Sequence, residues 1–187
     1  ALQERQRSGL GQLVDVSLYD SGISLLHPHA GNWFMSGRTP GRSGNAHPNI
    51  YPYDSFATGT TPVFLAVGND RQFRLLCEHL GCPQLVADER FATAGQRSHH
   101  RDALKPLLEQ ALQASDGPAL ADALMAIGVP AAPVLGVDAA LNHPHTLHRE
   151  MVVEMEGGYR GLGAPVKLSR TPASYRHAPL AEGDSFE

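Results

Sequence analysis

Apolar residues Phe73, Leu76, Cys77 and Leu80 recur at the i, i+3, i+4, i+7 spacing of one helix face. Asn69 and Gln72 stand at capping-box spacing before them and Gly81 suits a left-handed C-terminal residue, so the pattern predicts a helix between these signals. A second helix is expected over residues 98–113, with Leu104, Leu107, Leu108 and Ala111 inward and Pro106 either kinking it or opening a separate segment. A third should start at Gly117-Pro118, carry Leu120, Leu124 and Ile127 on one face, and stop at Gly128. Strands are predicted at 51–57 and 63–67, joined by the hairpin-type connection Thr58-Gly59-Thr60-Thr61-Pro62. Residues 129–135 are apolar, but Pro130 and Pro133 cannot donate to a ladder, which places this segment at a sheet edge. Residues 151–156 and 159–162, around Gly157-Gly158, read as another hairpin. Each buried leucine contributes ~1.5–3 kcal/mol, so three such helices can cover one small sheet.

The N-terminal part is patterned differently. Residues 1–9 have a helix-like composition closed by Gly9 and read as the last turns of a helix that began earlier. Residues 12–18 alternate well enough for a strand, and Ser17 with Asp20 predicts a capped helix running until Pro28. Together these suggest a helix-strand-helix remnant of an α/β domain. Between 35 and 52 the breakers Gly37, Pro40, Gly41, Gly44, Pro48 and Pro52 exclude a regular element, leaving a linker and functional loop.

Composition narrows the function classes. With 187 residues, 42% of them hydrophobic and 18% charged, the chain has enough material for one sizeable core. A formal net charge of −4 supplies no basic surface for nucleic acid or anionic membrane, so small molecules or protein are the expected partners. No apolar run approaches a membrane span and the first residues lack an apolar signal core, which makes the cytoplasm the expected location. Cys77 and Cys82 are expected to be reduced and structural. Ten histidines include His27-Pro28-His29 and His143-Pro144-His145, but no carboxylate or thiol nearby completes a ligand set, and no metal is expected. A histidine-rich metal protein is the reading this disfavours. His99-His100 is more simply a solvated helix start. Serine nucleophile elbows, dinucleotide fingerprints and P-loops are absent.

The loop Gly41-Arg42-Ser43-Gly44-Asn45-Ala46-His47-Pro48-Asn49 is the strongest local candidate for chemistry. Its glycines let the backbone approach a ligand and offer N–H groups to an anion, while Arg42, Asn45 and His47 add donors suited to a carboxylate or thioester oxygen. A plain solvent-exposed linker is the competing reading.

Six segments in order then resemble one family. Arg7-Ser8-Gly9-Leu10-Gly11-Gln12-Leu13-Val14-Asp15-Val16-Ser17-Leu18 is similar to the R-x-G-x-G-Q-x-V-D-V-S-L stretch of the class III CoA-transferases. Gly44-Asn45-Ala46-His47-Pro48 with Tyr51-Pro52-Tyr53 resembles their central loop, and Ala66-Val67-Gly68-Asn69-Asp70-Arg71-Gln72-Phe73 their strand-to-helix turn. Asp88-Glu89-Arg90-Phe91, Gly128-Val129-Pro130-Ala131-Ala132-Pro133-Val134 and Gly163-Ala164-Pro165-Val166-Lys167-Leu168-Ser169 follow in the family's order.

The resemblance implies an α/β fold: a small α/β domain at 53–150, remnants of a large Rossmann-like domain at 1–34, a linker and glycine-containing loop at 35–52, and a return segment at 151–187. It implies interlocked dimers, or association with a missing N-terminal half, and coenzyme A entering as an acyl-CoA substrate alongside a carboxylic acid. Family members attack the thioester with an aspartate carboxylate, passing through a mixed anhydride and an aspartyl-CoA thioester. That aspartate is expected upstream of Ala1; Asp15, Asp20 and Asp70 do not occupy the matching place. Gly44, Asn45, Ala46, His47 and Arg42 are the substrate-binding candidates the resemblance leaves in this chain. The alternatives are a racemase of the α-methylacyl-CoA type and a catalytically inactive fragment or assembly module.

Overall fold

Side-chain caps begin several helices of the computed structural model, which describes residues 1–179. The first helix, α1 (Leu2–Ser8), ends at Gly9 with φ +76°, the glycine stop expected there. Ser17 Oγ accepts from Asp20 N at 3.2 Å and starts α2 (Leu18–Ser24); α3 (His29–Ser36) follows. Residues 12–18, expected as a strand, form none: 12–17 are irregular and Leu18 already opens α2. Leu13 and Val16 are 91% and 79% exposed. The reason is that alternation makes a strand only where a second strand completes the ladder, and among the described residues none lies alongside.

From residue 53 onward the chain builds a packed body. Strands β1 (Tyr53–Phe56) and β2 (Val63–Ala66) form the expected hairpin, with Phe56 opposite Val63 and Asp54 opposite Leu65. Helix α4 (Asp70–His79) starts on Asn69, whose Oδ1 accepts from Gln72 N at 2.9 Å, and buries Phe73, Leu76 and Cys77 as the periodicity requires. Short helices α5 (Gln84–Ala87) and α6 (Ala94–His99) follow. The single helix expected over 98–113 is interrupted at His100. Helix α7 (Arg101–Leu112) starts there and carries Pro106 in its interior, burying Leu104, Leu108 and Leu112 with Leu107 and Ala111 only partly covered. Helix α8 (Gly117–Ala126) is capped by Asp116 and buries Leu120, Ala121 and Leu124. Ile127 was expected on that face but is 39% exposed, because the helix has ended and the chain is already turning into Gly128.

Strand β3 (Ala131–Pro133) adds antiparallel to β2, so the sheet order is β1-β2-β3 and the proline-bearing segment lies at an edge as expected. Phe56, Val63 and Leu65 point to one face of this sheet, and with residues of α4, α7 and α8 they make a single core. Asp54 shares that face and is neutralised by Lys105 Nζ of α7 at 2.8 Å. Helices α9 (Val137–Asn142) and α10 (Pro144–His148) lead to the C-terminal hairpin, β4 (Val152–Glu154) and β5 (Arg160–Leu162). His143 serves there as the cap of α10, its Nδ1 accepting from His145 N. The architecture is a mixed helix and small-sheet α/β fold. Among the described residues no helix is long and apolar enough to cross a membrane.

Candidate functional site

The loop ahead of β1 is held at its end nearest the core and open at its tip. Gly44 adopts φ +60°, a left-handed turn that a side chain would strain, and Ala46 N donates to Ser43 O at 3.1 Å across it. His47 N donates to Tyr53 O at 2.8 Å, so the loop closes back onto the first sheet strand. Residues 41–45 are exposed, whereas Ala46, His47 and Pro48 are half-buried. The N–H groups of Ala46 and His47 are thereby used, while those of Gly44 and Asn45 bond to nothing among the described residues.

His47 is the most constrained side chain of the loop. Its Nδ1 accepts from both Asn49 N and Ile50 N, each at 3.1 Å, and its ring stacks on Tyr53 with centroids 5.1 Å apart and planes 20° from parallel. Burial pulls its pKa below the ordinary 6.5, and the charge of Arg101 together with His29 and His27 pushes the same way.

Arg101, the first residue of α7, ties this segment to the core. Its Nη1 donates to His47 O at 3.2 Å and its Nη2 to Pro48 O at 2.9 Å. Ser98 anchors the same guanidinium through its carbonyl and hydroxyl, and the Tyr51 ring lies 5.6 Å beneath. On the other side, Asn49 and Asn32 of α3 exchange reciprocal amide hydrogen bonds of 3.0 Å. A cleft of about 590 Å³ opens between α3 and the loop, bordered by His29, Asn32, Gly41, Ser43, Asn49 and Arg101. His29 Nδ1 is buried and has no hydrogen-bond partner.

Of the residues singled out in the sequence, Gly44, Asn45 and Arg42 sit at the exposed tip, and Ala46 and His47 at the anchored base. The cleft itself is bordered by their neighbours. Asn32 and Arg101 carry no sequence signal as site residues, since one lies 17 positions before its partner Asn49 and the other 54 positions after His47. His29 was noticed only as part of a possible metal cluster. Among the described residues no three His, Cys, Asp or Glu side chains are grouped to hold a metal ion.

The sequence profile of CoA-transferase family III matches residues 1–185. The chain belongs to CoA-transferase family III. It is 38% identical to an acetyl-CoA:oxalate CoA-transferase of Acetobacter aceti over 90% of this chain and 43% of that protein. It is 35% identical to a succinyl-CoA:mesaconate CoA-transferase of Haloarcula marismortui over its whole length and 48% of that protein. A crystal structure of a CaiB/BaiF family protein from Brucella suis matches with a TM-score of 0.76 and 37% identity, across 96% of this chain and 48% of that one. The chain therefore spans less than half the length of these family III relatives. CoA-transferases use CoA thioesters as substrates.

Proposed function

We propose that the chain is part of an enzyme that moves coenzyme A from an acyl-CoA thioester to a carboxylic acid through an aspartyl-CoA thioester. The nucleophilic aspartate belongs, on this reading, to the stretch of the family III relatives that this chain does not span. Its carboxylate attacks the thioester carbonyl and expels CoA thiolate, leaving a mixed anhydride. The thiolate then attacks the aspartyl carbonyl and releases the donor acid, and the acceptor acid takes up CoA by the same two steps reversed. On this reading residues 1–34 are the end of the large domain, 35–52 the linker and loop, 53–150 the small domain, and 151–187 the return segment, of which 180–187 lie outside the described residues.

Family membership over residues 1–185 is the observation that carries this reading. The unused N–H groups of Gly44 and Asn45 support a role for the loop tip, since paired backbone donors stabilise an oxyanion developing on the acyl carbon. Arg42, exposed beside them, supplies charge for a carboxylate, and Ala46 and His47 form the base of the substrate contact. Oxalate, mesaconate and glutarate in the names of three relatives are all dicarboxylates, so the acid taken here is a dicarboxylic acid. The test incubates the full-length protein with an acyl-CoA and isotopically labelled dicarboxylic acids, with hydroxylamine present in a parallel reaction. Labelled acyl-CoA and an aspartyl hydroxamate are expected; α-proton exchange without either product would overturn the proposal.

A further inference from the structure

A ring nitrogen that accepts two hydrogen bonds carries no proton, so the N–H groups of Asn49 and Ile50 aimed at His47 Nδ1 leave the proton of the neutral imidazole on Nε2. Nε2 itself makes no hydrogen bond among the described residues. The ring cannot readily turn to exchange the two nitrogens, because it is stacked on Tyr53 while the backbone on either side is tied to Tyr53 O and to Arg101. Arg101 reaches both the His47 and the Pro48 carbonyls with one planar fork, a span that a lysine ammonium does not reproduce.

Resting on the function proposed above, we propose that His47 is a fixed, neutral Nε2–H donor to an acyl oxygen of the acid being exchanged, and that Arg101 is its positioning residue. A neutral donor suits this chemistry. The same acyl group is a thioester at one end of the transfer and a free carboxylate at the other. An imidazolium would hold the carboxylate far more tightly than the thioester and so trap the free acid, whereas a neutral N–H treats the two more evenly. The charged and titratable groups around the ring, Arg101, His29 and His27, all oppose its protonation.

Two substitutions separate the nitrogens. In His47→Asn the side-chain oxygen can take the place of Nδ1, keeping both backbone N–H groups paired but removing the Nε2–H. His47→Gln offers an amide N–H near Nε2 and abandons the pairing. In the full-length protein, H47N is expected to melt close to the wild type yet lose about tenfold in kcat/KM for both acyl-CoA and acid, the worth of one well-made hydrogen bond to the reacting group. H47Q should keep more activity and melt lower. Nitrogen-15 NMR of histidine-labelled protein, with H47N identifying the signal, should show a single Nε2–H tautomer at pH 7. R101M should mix the tautomers and let the ring protonate at higher pH, with R101K intermediate. A His47 ring that is cationic or Nδ1-protonated at pH 7, or an H47N enzyme with wild-type kcat/KM, would overturn the inference. The NMR readout does not depend on turnover. A wild-type protein that transfers no CoA would sink the proposed function while the tautomer is still read independently.

Discussion

Arg97 has no exposed surface, yet every arm of its guanidinium is occupied. Nε donates to Tyr51 O at 3.2 Å, Nη1 to Phe91 O at 3.0 Å, and Nη2 to Asp70 Oδ1 at 2.7 Å, with the Phe73 ring 4.5 Å away. Asp70 is itself more than half exposed, so the ion pair is the lesser part of this arrangement and the two buried carbonyls are the greater. Arg97→Ala should therefore destabilise by about 3 kcal/mol, from the cavity and the orphaned acceptors, measured as a shift in urea midpoint at constant slope. His47 gives a pH signature of definite sign. Its folded pKa lies below the unfolded value of 6.5, so the unfolded chain binds the proton first. The stability it contributes is whole above pH 6.5 and is lost as pH falls from there through the folded value. Between pH 7.5 and 5.5 the wild type should lose more of its urea midpoint than H47N, which has nothing to titrate at that position. Neither Arg97 nor Arg101 was legible as important in the sequence. An arginine in a helical, polar stretch reads as surface, and only the fold shows Arg97 reaching a carbonyl 46 residues away and Arg101 one 54 residues away.

The elements that sequence signals identified best are those whose ends are chemically marked. Asn69 and Gly81 bracket α4 because a side-chain oxygen and a left-handed residue satisfy the helix ends locally, without help from the rest of the chain. Asn69→Ala should cost about 1 kcal/mol of stability by chemical denaturation, the usual worth of such a cap. Gly117 is a glycine for a different reason. A Cβ there would overlap the Thr61 carbonyl oxygen in the turn between β1 and β2, so α8 begins in contact with that turn's backbone. Gly117→Ala is expected to lower stability by at least ~2 kcal/mol, because backbone rather than a movable side chain must give way; a melting temperature within a degree of wild type would contradict this. Periodicity also foresaw the two hairpins and the proline-bearing edge of the sheet, but not the interruption of α6 and α7 at His100. Polar residues tolerate a helix and a turn almost equally, and the break separates Arg97 from Arg101, which serve different partners on either side of it.

Across the whole molecule, the described residues divide into a body with a packed core after residue 50 and an N-terminal stretch whose apolar side chains are uncovered. Leu13, Leu18 and Met35 are each at least 90% exposed. Apolar surface of this extent is normally covered by protein. The isolated 187-residue chain should therefore bind a hydrophobic dye and elute in a concentration-dependent manner on size exclusion. Replacing Leu13, Val16 and Met35 by polar residues should reduce both effects without altering the melting of the core. By itself the sequence determined the α/β class, the capped helices, the hairpins and the CoA-transferase family, because caps, periodicity and ordered motifs are properties of neighbouring residues. The tertiary structure alone decided that residues 12–18 form no strand, since a ladder depends on what lies beside it. It alone brought Arg101 and Asn32 to the loop, since long-range hydrogen bonds leave no local pattern, and set His29 in the lining of the same cleft. The loop marked out by its glycines and its histidine was visible from the start. The hold of Arg101 on that histidine's carbonyl came from 54 positions along the chain, whereas the two N–H groups on its Nδ1 belong to its near neighbours Asn49 and Ile50.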